Sequence, residues 1–347
     1  MVNLIAALNP LINFYVKMVG MKAYLVEIMP GTVMNFWAPS ETLNNTKNDK
    51  TISTSETNIN FTKPNKPVVV LIQGFQANGI ITWLAQVGSL TKHYSVYVPD
   101  LLFFGDSFSE SSDRSPDFQA QCLMKGLKRL GVERCTLVGF SYGGIVAFKM
   151  AELYPSFIQA LVVSGSPVAM TDSISEAIIQ SSGIGSFSEE LLPTSVDGVK
   201  KLFSVGAYTK LWFPDKIYMD YLQAMFNNRK ERDELLDAMI VSDKDTTIPS
   251  FKQKILFLCG KEDQIIKFEL VKNMKKQLGD LATYQGIEKA GHLAHIEKPF
   301  IYNKCLKQFL DSLQETEADI AGGTLPPGTY ATTSTLSLSV MLPVKRL

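Results

Sequence analysis

Six short runs along the chain, mostly apolar and rich in β-branched or aromatic residues, read as strands: residues 68–73, 95–98, 135–140, 160–164, 255–259 and 282–287. Runs this short and this apolar suit strands buried on both faces. Helically spaced stretches separate them, such as 144–153, which stops at Tyr154-Pro155. Alternating strand and helix implies right-handed crossovers, so the expected fold class is α/β, a mostly parallel central sheet flanked by helices. Between residues 164 and 255 the strand signal stops. Helical patterns over 172–180, 195–207, 214–227 and 229–240 fill the gap and predict an inserted helical cap over 166–250. The cap carries many apolar and aromatic residues, among them Phe187, Leu191, Phe203, Tyr208, Tyr221 and Met225. Most must form the cap's own core. Trp212, Phe213 and Tyr218, together with Gln73 from the sheet, are the candidates for a substrate pocket between cap and sheet.

The two ends have different patterns. Leu4, Leu8, Leu11, Ile12, Tyr15, Val16 and Val19 recur at helical spacing, and Asn9-Pro10 suits a break and restart, so 1–26 reads as an amphipathic helical segment. It is too short to span a bilayer, and it lacks the basic start and small-residue cleavage site of a signal peptide. The expectation is a helix packed on the body; a substrate-entrance flap or a shallow membrane contact is the alternative. The α/β core is then expected over 27–165 and 251–314. Within it, residues 39–67 are polar and predict a mobile loop. From 315 to 347, Gly, Thr, Ser and Pro replace periodicity, which predicts a disordered tail. The tail ends in Lys345-Arg346-Leu347, faintly like a peroxisomal tripeptide.

Composition narrows the partners. The chain has 347 residues, 46% hydrophobic, with 34 basic and 34 acidic side chains and a formal net charge of zero. No basic stripe stands out, so nucleic acid is not an expected partner. Cys122, Cys135, Cys259 and Cys305 are scattered without metal-ligand spacing. They read as reduced thiols of a cytoplasmic protein, and neither metal nor cofactor is expected. Two glycosylation-type patterns, at Asn44 and Asn60, carry no weight without secretion.

The chemistry is concentrated at Gly139-Phe140-Ser141-Tyr142-Gly143. The bare G-x-S-x-G pattern arises by chance in roughly one chain in ten of this length. Here a strand precedes it and a helix follows, the context of a nucleophile elbow. A serine needs a base to take its proton. Of three histidines, His93 lies in a loop before a strand. His292 follows Ala290-Gly291 beyond a strand end, where catalytic residues of open sheets collect, and His295 is the alternative. The base needs a carboxylate, and Asp263, after a strand ending at Gly260, is the candidate; the same residue could simply cap a helix over 264–278. Glu262 is the second choice. For the oxyanion, the N–H of Tyr142, next after the nucleophile, and the N–H of Phe75, in the loop after the first core strand, are the expected donors.

These residues resemble the α/β-hydrolase superfamily, most of all plant serine hydrolases related to bacterial meta-cleavage-product hydrolases. The matching positions are Gly74-Phe75, Pro99-Asp100-Leu101 with Gly105-Asp106-Ser107, the elbow, Gly260 with Asp263, and Ala290-Gly291-His292, over about residues 27–313. The resemblance implies a cap inserted after the sixth strand and a Ser-Asp-His order along the chain. Two positions depart from it. Gln73 stands where the family has histidine, and Phe103 stands where glycine is usual. The epoxide hydrolases and dehalogenases of this fold use an aspartate nucleophile, against which Ser141 argues. The function implied is a carboxylesterase-like serine hydrolase, cleaving an ester, thioester or lactone of an apolar or aromatic small molecule through an acyl-enzyme. C–C bond hydrolysis, acyl transfer or biosynthetic cyclisation at the same site is one alternative, and a ligand receptor on a hydrolase scaffold is another.

Overall fold

The computed structural model describes residues 3–42, 51–52, 62–182, 185–210, 212–247 and 249–321. In chain order its elements are α1 (Leu4–Ala7), α2 (Asn9–Met18), β1 (Met21–Met29), β2 (Thr32–Pro39), β3 (Thr51–Ile52), β4 (Val68–Ile72), α3 (Gly79–Leu90), β5 (Ser95–Pro99), β6 (Phe108–Ser109), α4 (Pro116–Arg129), β7 (Cys135–Phe140), α5 (Tyr142–Leu153) and β8 (Ile158–Ser164). There follow β9 (Met170–Thr171), α6 (Asp172–Ser182), α7 (Phe187–Leu191), α8 (Val196–Gly206), α9 (Asp215–Met225), α10 (Arg229–Ala238), β10 (Ile240–Val241), β11 (Lys254–Gly260), α11 (Phe268–Leu278), β12 (Ala282–Ile287), α12 (Ala294–Glu297) and α13 (Pro299–Ala321).

One sheet runs in the order β12-β11-β8-β7-β4-β5-β2-β1-β3, with β6 paired to β2. From β12 to β5 every neighbour is parallel. The chain steps outward from β4 to β5, then crosses back to place β7 on the other side of β4. The ends of β4 and β7 therefore meet at the topological switch point, where open α/β sheets form their ligand crevice. Period-two burial supplies the reason these runs are strands: Val68, Val70 and Ile72 face one apolar layer, and Val69 and Leu71 face the other. α2, α3 and α13 pack on the second layer; α4, α5, α11 and the helices between β8 and β11 pack on the first.

Several boundaries differ from the sequence reading. The N-terminal helical segment ends at Met18, and from Met21 the chain is already strand, paired antiparallel with β2. The inward alternation of Tyr24, Val26 and Ile28 fixes that strand, and the mixed polarity of the run hid it. The polar stretch after Pro39 contains β3, whose Thr51 and Ile52 pair in parallel with Leu25 and Val26. α13 runs on to Ala321, past the expected start of the tail. Residues 43–50, with Asn44, residues 53–61, with Asn60, and 322–347, with the terminal tripeptide, lie outside the described residues. Among the described residues no helix is long and apolar enough to cross a membrane. All four cysteines are free, and burial pushes the Cys122 and Cys259 thiols up to about 12.

Candidate active site

Ser141 sits between β7 and α5 with φ 51° and ψ −121°, a conformation a non-glycine residue adopts only when its surroundings impose it. Its neighbours impose it. A Cβ at Gly139 would come within 2.6 Å of the Gly143 carbonyl oxygen, and one at Gly143 within 2.3 Å of the Gln73 carbonyl oxygen. The Ser141 N–H donates to Ser164 O at 2.9 Å, and the Gly144 N–H donates back to Ser141 O at 2.8 Å. Tyr142 opens α5, and the first N–H groups of a helix have no intrahelical acceptor. Phe75 follows β4 in the adjoining loop. Gly74 lets that loop approach, since a Cβ there would stand 2.8 Å from the Phe140 ring and 3.1 Å from Ser141 Cβ.

Asp263 and His292 follow the ends of β11 and β12. His292 Nδ1 and Asp263 Oδ2 are 2.9 Å apart, and both side chains are buried. Asp263 Oδ1 accepts the N–H groups of Ile265 and Ile266, each at 2.9 Å. This turn explains why α11 starts at Phe268, later than the sequence pattern predicts: the carboxylate takes the two N–H groups, and Lys267 stays extended (φ −56°, ψ 138°). Asp263 thus caps a turn with one oxygen and holds the imidazole with the other. Glu262 faces away, its carboxylate accepting the Ala290 N–H at 3.0 Å. His295 is fully buried among the rings of Phe140, Trp83 and Tyr302.

Three supports were not singled out in the sequence. Gly165, at the end of β8 with φ 55°, leaves room for the imidazole; a Cβ there would lie 2.6 Å from His292 Cε1. Glu297 accepts the Gly291 N–H at 2.8 Å and the Thr209 N–H at 2.9 Å, so it ties the His292 loop to the segment after α8. The Leu293 N–H donates to Gly206 O at 3.1 Å and tightens the same seam. A glycine directly after a strand end was the available signal for Gly165. Nothing local marked Glu297, because its partners lie on separate elements.

A cavity lined by Ser141, His292, Phe75 and Tyr142 lies between the sheet and the inserted helices. Its remaining walls are almost wholly apolar, with Ile145, Met170, Ile178, Phe187, Leu236 and Met239 among them. Glu190 is its acidic lining residue, and among the described residues no Lys or Arg lines it. Lys201 Nζ lies 3.4 Å from Glu190 Oε2.

The four pocket candidates lie elsewhere. Gln73 is fully buried and does not line this cavity. With its amide turned so that both ends are satisfied, Nε2 donates to Pro99 O at 2.8 Å and Oε1 accepts from the Leu101 N–H at 3.0 Å. It holds the β5 loop against the β4 loop. Trp212 is 84% exposed. Tyr218 is buried against Phe203, and its hydroxyl accepts the Phe213 N–H at 3.3 Å, so it belongs to the cap core. Phe213 lines a separate cavity with Ile81, Phe140, Phe203 and Ile296. Aromatic type alone could not say which rings face the sheet.

The second departure is also visible. Phe103 has φ 73°, the left-handed region where glycine would be at ease. Its carbonyl accepts Arg232 Nε at 3.0 Å and Asn228 Nδ2 at 3.1 Å, and the Arg114 guanidinium lies 4.4 Å over its ring. The strain is held by the inserted helices. Nearby, Asp100 accepts the Gly79 N–H at 2.7 Å and Asn35 Nδ2 at 2.9 Å, and burial still pushes its carboxyl up to about 6.

A profile of the alpha/beta hydrolase fold matches residues 67–182. Epoxide hydrolase 4 of Mus musculus is 30% identical over 106 residues, 29% of this chain and 29% of that protein. The chain thus aligns with under a third of that relative's length. Lipase 1 of Psychrobacter immobilis is 25% identical over 234 residues, 66% of this chain and 72% of that one. Among solved structures, the meta-cleavage product hydrolase of Pseudomonas fluorescens superposes with a TM-score of 0.62 at 20% identity, covering 85% of this chain and 99% of that one. At that identity the likeness concerns the fold.

Proposed function

From a chain that carries the α/β-hydrolase fold, we propose a serine hydrolase that cleaves an ester, thioester or lactone of an uncharged apolar or aromatic small molecule. The observation that carries this reading is the His292–Asp263 contact of 2.9 Å at a cavity that Ser141 also lines from a strained elbow. Ser141 Oγ attacks the substrate carbonyl while His292 takes its proton. The N–H groups of Phe75 and Tyr142 stabilise the oxyanion. Asp263 fixes the imidazole tautomer and stabilises the imidazolium. His292 then passes its proton to the leaving oxygen or sulfur. Water, deprotonated by the same imidazole, attacks the acyl-enzyme and restores Ser141.

The walls support the substrate class. Apolar side chains favour an alkyl or aryl acyl group. Glu190 already has Lys201 as its ion partner, and among the described residues no Lys or Arg lines the cavity to receive a substrate carboxylate, so a substrate carrying one is disfavoured. Lipase 1, among the relatives, acts by its name on lipid esters. In the test, p-nitrophenyl esters of increasing acyl length are offered to wild type and Ser141→Ala. Wild type should turn over, and the variant should lose on the order of 10⁴-fold or more in kcat. Equal turnover by the variant would remove the assignment.

A further inference from the structure

Large apolar side chains are exposed unevenly over this protein. Fifteen described residues fall in that class, and ten of them lie in three short stretches, 4–18, 208–212 and 296–301. The stretches are neighbours. α3 lies between α2 and α13: on one side Tyr15 Oη donates to Leu84 O at 3.5 Å, and on the other Asn303 Nδ2 donates to Ala85 O at 3.0 Å. The exposed residues of α3 itself are Ala85 and Gly88, and the helix has no charged side chain. The 208–212 stretch joins through the Thr209–Glu297 hydrogen bond.

α2 is apolar on two sides. Val16 is buried, with Ile12, Tyr15 and Val19 packed around it. Leu11, Phe14 and Met18 form a second stripe at i, i+3 and i+7, exposed by 65%, 62% and 64%. Trp212 is 84% exposed and Phe300 is 89% exposed. The packing of the fold needs none of these outward side chains, and contiguous exposed apolar surface marks an interaction site.

Charge selects the partner. Residues 3–21 carry one charged side chain, Lys17, and residues 298–310 carry three, Lys298, Lys304 and Lys307. Glu297, between the stretches, commits its carboxylate to the Gly291 and Thr209 N–H groups. A two-fold pairing of this face with a second copy would set the patch against itself, lysine toward lysine. We propose that the face docks on an anionic lipid surface, its apolar residues entering the boundary of headgroups and acyl chains and its lysines meeting the phosphates and carboxylates. The cavity behind it fits that orientation. Its lining includes the exposed Ile296, Phe213, Gly74 and Phe140, and the Phe140 ring centroid lies 4.9 Å from that of His292. Docking therefore sets a largely apolar cavity against the lipid, close to the site.

The binding is read without catalysis, so it stands or falls apart from the hydrolase reading. Wild type, Phe14→Glu, Phe300→Glu and Leu153→Glu are sedimented with vesicles of phosphatidylcholine containing a quarter phosphatidylserine. All three positions are exposed, and Leu153 lies on α5, on the opposite side of the sheet. Wild type and Leu153→Glu should bind at millimolar lipid. Phe14→Glu and Phe300→Glu should bind at least about tenfold more weakly, as should wild type in high salt. Tryptophan emission of wild type should shift to the blue as Trp212 leaves water. Absence of binding at millimolar lipid, binding undiminished in both face variants, or a wild-type dimer that Phe14→Glu dissociates would each overturn the proposal.

Discussion

His292 and His295 stand three residues apart, and one aromatic ring separates them: Phe140 lies 4.9 Å from the first imidazole and 4.4 Å from the second, centroid to centroid. Both are buried. His292 has a carboxylate at 2.9 Å and opens on the cavity that Ser141 lines. Among the described residues neither ring nitrogen of His295 has a hydrogen-bond partner, and burial, reinforced by the nearby His292, pushes its pKa down to about 3. The same side chain thus meets a carboxylate and an open cavity in one place and is held as a neutral ring in the other. What differs is the carboxylate, which stabilises the imidazolium, and access to the substrate.

The largest effect that can break this contrast is at the carboxylate. Asp263→Asn should lower kcat about 10⁴-fold while Ser141 stays in place, because the imidazole loses its tautomer and its countercharge. Retention of activity, measured on the same ester, would mean that Glu262 or another acid serves His292.

The next effect belongs to His295 and appears in stability. Its folded pKa, about 3, lies below the ordinary 6.5, so between these values the unfolded chain binds the extra proton. Stability should be full above pH 6.5 and should fall as the pH drops toward 3. The loss should be on the order of 3 kcal/mol by pH 4, at about 1.4 kcal/mol per pKa unit. His295→Phe removes the titration along with two unpartnered nitrogens. Urea denaturation at pH 7 and pH 4 should show the variant losing less stability than wild type, with kcat/KM on a short ester within about threefold. An equal acid loss in both proteins would contradict the seat described for His295.

A smaller effect sharpens the seat of His292. Gly165→Ala places a Cβ where the imidazole lies, at a φ that suits glycine. Displacing the base by a fraction of an ångström to an ångström should cost up to about 100-fold in kcat, with the fold retained by circular dichroism. Wild-type kcat in this variant would mean that the ring has room the geometry denies it.

Much of this was legible in the chain because it rests on local pattern. The core strands from 68 to 287 are short runs bounded by turns, and the elbow needs glycines at fixed offsets. Asp263 and His292 follow strand ends, and a parallel sheet gathers its strand ends at one rim. The rest depends on contacts between distant segments. β1 is not legible because its burial alternates against a run of mixed polarity. Gln73 reads as a pocket candidate in sequence, whereas its partners, Pro99 and Leu101, lie on another strand's loop that no local pattern brings near it. Trp212 and Tyr218 were equally apolar in sequence, yet one is almost wholly in water and the other is buried against Phe203. Glu297 works through backbone N–H groups on two other segments, which no spacing reveals.

The claim that Ser141 is a nucleophile made reactive by the His292–Asp263 pair is tested most directly by a fluorophosphonate followed through peptide mass spectrometry. The account predicts one adduct on the peptide containing Ser141, none in Ser141→Ala, and labelling slowed at least about 100-fold in Asp263→Asn. An adduct on another residue, or labelling at the wild-type rate in Asp263→Asn, would contradict it.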